Sequence, residues 1–363
     1  MEVAEVTSRL PFIDALKAVA VQLIVLHHLA FYGPMSDHAY ALIPDLISWL
    51  SQHARAVVQV FLVIGGFLAA RSLAPAGHLV SAQPLRLLLK RYLKLAVPYL
   101  IALVIGIGCA TIARALMTHD SIPEWPTLRQ FLAHALLLQS ILGYEGLSTG
   151  VWYIAIDFQL FALLLGTLWL ARGISCGLGR GIAGAAIVGL LLVATLALFS
   201  LYHFNRDAEW DNWALYFFAS YALGALTFWA ANAKHAVRWL LLIAVAVVMA
   251  LLLDYRSRIA VALVVALALG LASRYGFLVR WPKSSLLAYL GQISYSVFLI
   301  HFPICLIVNG LFVRVAMADP WLNLAGMVVA WAASLLAGGL FYRFVEGPAQ
   351  QGFRGLRAAP GLT

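Results

Sequence analysis

Leu10–Tyr32 reads LPFIDALKAVAVQLIVLHHLAFY, an apolar run that nevertheless carries Asp14, Lys17, His27 and His28. A spanning helix needs about 20 apolar residues, so the run is long enough to cross a bilayer. An ionisable side chain at the centre of such a helix costs roughly 2.5–3.5 kcal/mol on insertion scales, which makes it rare and a mark of function. Asp14, Lys17 and His28 are separated by 3 and 11 residues, close to one and three turns of a helix with about 3.6 residues per turn. The three therefore share a face, and that face looks away from lipid. His27 projects about 100° around the helix from His28 and reads as secondary.

The rest of the chain has the same character. Its 363 residues are 63% hydrophobic and 11% charged, where a soluble domain is about 45–50% apolar and about 25% charged. Ten spans are expected, at 10–32, 55–74, 93–117, 151–171, 182–203, 213–231, 237–253, 258–275, 286–313 and 321–343. A shorter apolar stretch, Leu128 to Leu142, contains Arg129 and His134 and is expected to lie on the membrane or dip into it. No segment shows the alternation a lipid-facing barrel strand requires, so the spans are helices. The expectation is an all-α polytopic membrane protein, one transmembrane domain over residues 1–363.

Basic residues set the orientation. The excess of the 24 Lys and Arg falls in the loops that are cytoplasmic if the N-terminus is, and an even number of spans then puts both termini in the cytoplasm. The net charge of +9 is thus topology rather than a nucleic-acid footprint. Asp14 and Lys17 interrupt the first apolar run, and no small-residue cleavage site follows it, so a cleaved signal peptide is not expected. Cys109, Cys176 and Cys305 stand apart in apolar surroundings, suggesting neither a disulfide framework nor a zinc site, and no metal is expected.

Three further polar clusters break the apolar background. Before the third span, Arg86, Lys90 and Lys94 recur every four residues with Arg91 beside them. Such a stripe reads either as a snorkelling lipid anchor or as a site for a cytoplasmic polyanion such as a nucleotide pyrophosphate. The fourth span opens Trp152-Tyr153-Ile-Ala-Ile-Asp157-Phe158-Gln159. Its aromatics suit a membrane-interface belt, but Asp157 needs a partner. The ninth span contains Ser294, Tyr295 and His301, and a lone buried histidine is commonly a structural hydrogen-bonder. Counting along oppositely running helices at about 1.5 Å per residue, His28 and Asp157 reach matching depth, with Lys17 roughly 16 Å away. A carboxylate beside an imidazole would orient a general base, so a His28–Asp157 pair is expected.

Taken in order, these motifs resemble the acyltransferase 3 family of membrane-bound acyltransferases. The resemblance runs through Phe12-Ile13-Asp14-Ala15-Leu16-Lys17 with His28, Gly65-Gly66-Phe67-Leu68, the basic run to Pro98, Trp152 to Phe161, and Leu290-Gly291 to His301. It ends at Tyr342-Arg343-Phe344-Val345-Glu346-Gly347-Pro348. The family places ten positions between a basic residue and an essential histidine, which here are Lys17 and His28. It usually carries Glu at the position of Asp157, and an arginine-rich form of the Lys90-Arg91-Tyr-Leu-Lys94 run. The resemblance implies transfer of an acyl group, often acetyl, from cytoplasmic acetyl-CoA or another acyl-CoA. The acceptor would be a hydroxyl of an extracytoplasmic glycan, lipid-linked sugar or glycosylated small molecule, and the setting a bacterial inner membrane. On this reading His28, Asp157 and Lys17 are catalytic. Lys17, Arg86, Lys90, Arg91 and Lys94 hold CoA. Asp14, His27, Trp152, Tyr153, Ser294, Tyr295, His301, Arg343 and Glu346 bind substrate or support the site.

The chemistry agrees with the residues independently. A hydroxyl is a poor nucleophile, and histidine is the side chain suited to deprotonate it near neutral pH. No nucleophile elbow and no activated cysteine is visible. A proton-coupled transporter is the main rival, since intramembrane Asp, Lys and His also describe a carrier, but no internal repeat or pair of Gly/Pro-broken helices accompanies them. A non-catalytic scaffold would leave His28 dispensable.

Overall fold

The computed structural model describes residues 9–316 and 318–358; the outermost positions of the single-domain assignment, 1–8 and 359–363, lie outside them. Among the described residues there are helices and no strands. Among the described residues ten helical segments are long and apolar enough to cross a membrane, the second of them running Pro44–Leu73 and ending in α2; the helices are α1 Pro11–Phe31, α2 Val58–Leu73, α3 Pro84–Leu116, α4 Val151–Gly177, α5 Gly181–Tyr202, α6 Ala214–Ala231, α7 Ala236–Leu253, α8 Ser257–Arg274, α9 Ser285–Val315 and α10 Pro320–Phe341. Each coincides with an expected span.

Two boundaries differ from expectation, with consequences for the site. The third helix begins nine residues early, at Pro84, because proline is preorganised for the first helical turn and no breaker intervenes before Lys94. The basic run is therefore the opening of the spanning helix itself and not a flank. Past Phe341 the tenth helix widens into a π turn, Tyr342–Glu346, and continues as Gly347–Ala358. The extra residue in that turn re-aims Glu346 inward, where it is buried. The stretch Leu128–Leu142 forms only a short helix, Leu128–Ala135, started by a reciprocal Thr127–Gln130 cap and followed by turns.

The helices sort by burial. In α6, 78% of the apolar window is buried, against 22% in α5 and in α7. So α6 is central, and α5 and α7 present rows such as Leu241, Leu242 and Leu252 outward. Lipid gives apolar helices no reason to prefer one another, so close backbone approach between small residues must supply the packing. The crossing of α2 and α6 shows this: a Cβ on Gly224 would lie 1.9 Å from the Val63 carbonyl oxygen, and one on Gly66 1.7 Å from that of Tyr221. Where α1 crosses α9, a Cβ on Gly291 would lie 2.2 Å from the Asp14 carbonyl oxygen. That contact sets α1 directly against α9, and the two helices carry the histidines of the site.

Candidate active site

Among the described residues two cavities stand out within the bundle, one toward each end of α1. The first, about 560 Å³, is lined by His27 and His28. His28 is buried, and its Nδ1 lies 2.7 Å from Nε2 of His301 on α9. The two rings are within 5° of parallel with centroids 5.0 Å apart, so they meet edge to edge through those nitrogens. His301 Nδ1 faces the main-chain oxygens of Val297 and Phe298 at 3.0 and 2.9 Å. Carbonyls only accept, so Nδ1 of His301 carries its proton and Nε2, in the neutral ring, accepts. His28 must then donate from Nδ1, which leaves the lone pair on its Nε2. His301 thus fixes the tautomer of His28, with the proton on Nδ1 and the lone pair on Nε2. His27 is different: its Nδ1 donates to the Leu50 carbonyl at 2.9 Å and ties α1 to the helix Pro44–His53.

The wall of this cavity contains buried polar atoms with no protein partner: Oε1 of Gln59, Oε1 of Gln139 and Oγ of Ser148. Leaving such a group unsatisfied costs about 1–3 kcal/mol, so each is a position for a water or a ligand hydroxyl. Aromatic rings of Tyr32, Trp152 and Phe217 line the same space, Trp152 lying 5.5 Å from Phe217. The aromatic that reads as a belt residue is here a cavity wall.

The second cavity, about 680 Å³, is lined by Arg9, Lys17, Arg91 and Lys94 against Asp14, Asp157 and Glu346. Four cations face three carboxylates, a surplus of one positive charge. Arg9 Nε donates to Asp14 Oδ2 at 2.7 Å and its Nη2 to the Ala288 carbonyl, which joins the start of α1 to α9. Glu346 accepts from Ser296 Oγ at 2.5 Å and from Gln350 Nε2 at 2.7 Å. Tyr153, Tyr221, Ser294 and Tyr295 are among the polar residues that add to the lining, Tyr295 donating its hydroxyl to the Leu95 carbonyl at 3.0 Å.

The expected His28–Asp157 pair does not form. Asp157 Oδ2 accepts from Arg91 Nη2 at 2.5 Å and lines the Lys17 cavity, while His28 spends Nδ1 on His301. Matching depth does not fix direction around the helix axis. Asp157 points from α4 toward α3 and α6, and a permanently charged guanidinium is the stronger partner for a buried carboxylate. The basic run divides as well. Arg91 and Lys94 line the cavity, whereas Arg86 and Lys90 lie on the exposed face of α3 outside its lining. Arg343 is also exposed and stacks over Phe344 at 5.5 Å, away from both cavities. Asp14, Lys17 and His28 share a face of α1 yet serve different cavities.

Several lining residues escape a reading of the sequence. Tyr221 sits in the most buried helix with its hydroxyl unpartnered, and Gln59 and Gln139 sit in apolar stretches as single amides. An isolated amide or hydroxyl carries no periodic signal; only burial without a partner reveals it. Arg9, just before the first span, looks like one more topological cation. The family model described as an acyltransferase domain, of the acyltransferase 3 type, matches residues 10–343. No curated protein and no solved structure matches the chain.

Proposed function

The chain belongs to the acyltransferase 3 family of membrane acyltransferases, and on that premise we propose that it moves an acyl group, acetyl in the simplest case, from cytoplasmic acyl-CoA to a hydroxyl of an extracytoplasmic glycan, with His28 as general base. The observation that carries this reading is the His28–His301 bond, which leaves Nε2 of His28 basic at the wall of a cavity. In this reading the N-terminal end of α1 faces the cytoplasm, in a bacterial inner membrane, with both termini on that side. CoA phosphates would rest on the cationic mouth, with Lys94 and Lys17 nearest and Arg91 held in place by Asp157. Arg86 and Lys90 would attract the nucleotide from outside, or snorkel to lipid headgroups.

The chemistry is a single exchange at the thioester. The acceptor hydroxyl gives its proton to Nε2 of His28 as its oxygen bonds to the thioester carbon. The resulting imidazolium keeps its Nδ1 proton on His301. Collapse of the tetrahedral intermediate breaks the C–S bond, and the departing CoA sulfur takes the proton back from Nε2. Hydroxyl donors on the acceptor match the free Oε1 atoms of Gln59 and Gln139, and aromatic walls suit the C–H faces of a sugar. His28→Ala is expected to lower acyl transfer by about 10²–10⁴ while acyl-CoA still binds. The assay is release of free CoA thiol from acetyl-CoA in the presence of a glycan acceptor, alongside calorimetric titration of CoA. Turnover near the wild-type rate would remove His28 from the reaction.

A further inference from the structure

We infer that Phe298 is a movable partition between the two cavities, and that it limits which acyl groups reach His28. This rests on the through-bundle route just proposed, but its geometry stands apart from the chemistry. Phe298 is the one described residue that lines both cavities, and only 7% of it is exposed. Its ring lies 5.4 Å from that of Tyr153 on α4 and 6.4 Å from that of Phe61 on α2, and those two rings lie 6.1 Å apart. Three helices thus contribute one ring each to a closed aromatic cluster. On the loop side the ring meets Gly150, at φ +85°, where a Cβ would lie 3.1 Å from Cζ of Phe298. Glycine both permits the turn and leaves the ring its place.

What lies on either side explains the need for a seal. Arg91 and Asp157 line one cavity, and His28, backed by His301, lines the other. A continuous water column joining these titratable groups would conduct protons across the bilayer and expose the thioester to hydrolysis. The packed rings of Phe61, Tyr153 and Phe298 exclude that water. A thioester on a thin arm must displace the Phe298 ring to pass, and the space vacated by one ring admits small acyl groups more readily than long ones. The hydrogen bond that fixes the base survives a turn of the ring, because His301 bonds the main-chain carbonyl of Phe298; the two rings, 6.1 Å apart, meet only by an aromatic contact. Pro303 lacks the N–H that would bond the Leu299 carbonyl, so the helix is locally relaxed one residue past the partition.

The test uses proteoliposomes loaded with a pH-sensitive dye and given an external acid step. Phe298→Ala, alone and combined with His28→Ala, is expected to admit protons about tenfold faster than the parent protein, the change expected when a barrier falls by about 1.4 kcal/mol. Phe298→Trp is expected to remain tight. With acceptor present, Phe298→Ala should raise the ratio of hexanoyl-CoA to acetyl-CoA turnover by about tenfold, and Phe298→Trp should lower it. Phe298→Leu keeps an apolar side chain and guards against a misfolded alanine variant; its leak should fall between the two. Unchanged leak together with an unchanged donor ratio in the alanine and leucine variants would overturn the partition. Because the leak needs no acyl transfer, a leaking alanine variant would uphold the partition even if transfer proved confined to one face.

Discussion

A histidine acts as a base only from the nitrogen that lacks the proton, and in this protein His301 decides which nitrogen that is. Its own Nδ1 is committed to two carbonyls, so its Nε2 can only accept from His28. His301→Phe would free His28 to carry its proton on either nitrogen. The expected result is a fall in kcat with an unchanged KM for acyl-CoA, bounded by the roughly 10⁴-fold that a wrong tautomer costs a serine-protease triad. The pH profile of kcat should change shape in the same variant, since the partner that stabilises the imidazolium is gone; an unaltered profile would make His301 a packing residue. Asp157 is expected to act through Arg91 and not through His28. Asp157→Asn should therefore weaken acyl-CoA binding in calorimetric titration while leaving the pH profile of kcat in place. These roles were half legible in the sequence. The ionisable residues announced themselves by lying in apolar spans, but their direction around the helix axis did not. That is why Asp157 suggested His28 as its partner, and why His301, the true partner, read as a lone structural ring.

At the scale of elements, the spans were the most legible part, because twenty apolar residues in a row admit one explanation in a membrane. The crossings were not, since a glycine in an apolar span gives no hint of what it touches. Gly224→Leu should lower the detergent-solubilised melting temperature sharply and abolish activity, because its Cβ would overlap the Val63 carbonyl of α2. Gly166, whose Cβ would meet nothing within 4 Å, is the matched control and should tolerate alanine. The segment between α3 and α4 allows a pH test. Burial holds the His134 ring below its ordinary value of 6.5. The neutral ring donates from Nδ1 to the Gln130 carbonyl at 2.8 Å and accepts at Nε2 from the Leu147 amide at 3.1 Å. A base depressed on folding stabilises fully above its unfolded value, and that stabilisation is lost as pH falls through 6.5 toward the folded value. Hydrogen exchange at Leu147, corrected for intrinsic rate, should therefore lose protection between pH 7 and pH 5. His134→Gln should flatten that dependence, and equal protection at both pH values in the parent protein would remove His134 as the clasp.

Across the whole molecule the arrangement is two polar chambers in an apolar bundle, cationic at the Lys17 end and histidine-based at the other, meeting at one aromatic ring. Lys17 and His28 are 11 residues apart on one helix, roughly 16 Å at helical rise. The pantetheine arm of CoA is of that order, so on the proposed reading a nucleotide held at the cationic mouth would present its thioester to Nε2 of His28 without leaving its side of the membrane. The central claim is that donor and acceptor arrive from opposite faces. It is tested most directly with proteoliposomes containing the protein in a single orientation, acyl-CoA supplied only outside and a glycan acceptor sealed inside. Acylated glycan is predicted to form inside when the Lys17 end faces outward and not when it faces inward. Transfer with both substrates confined to the Lys17 side, and none across the membrane in either orientation, would contradict it.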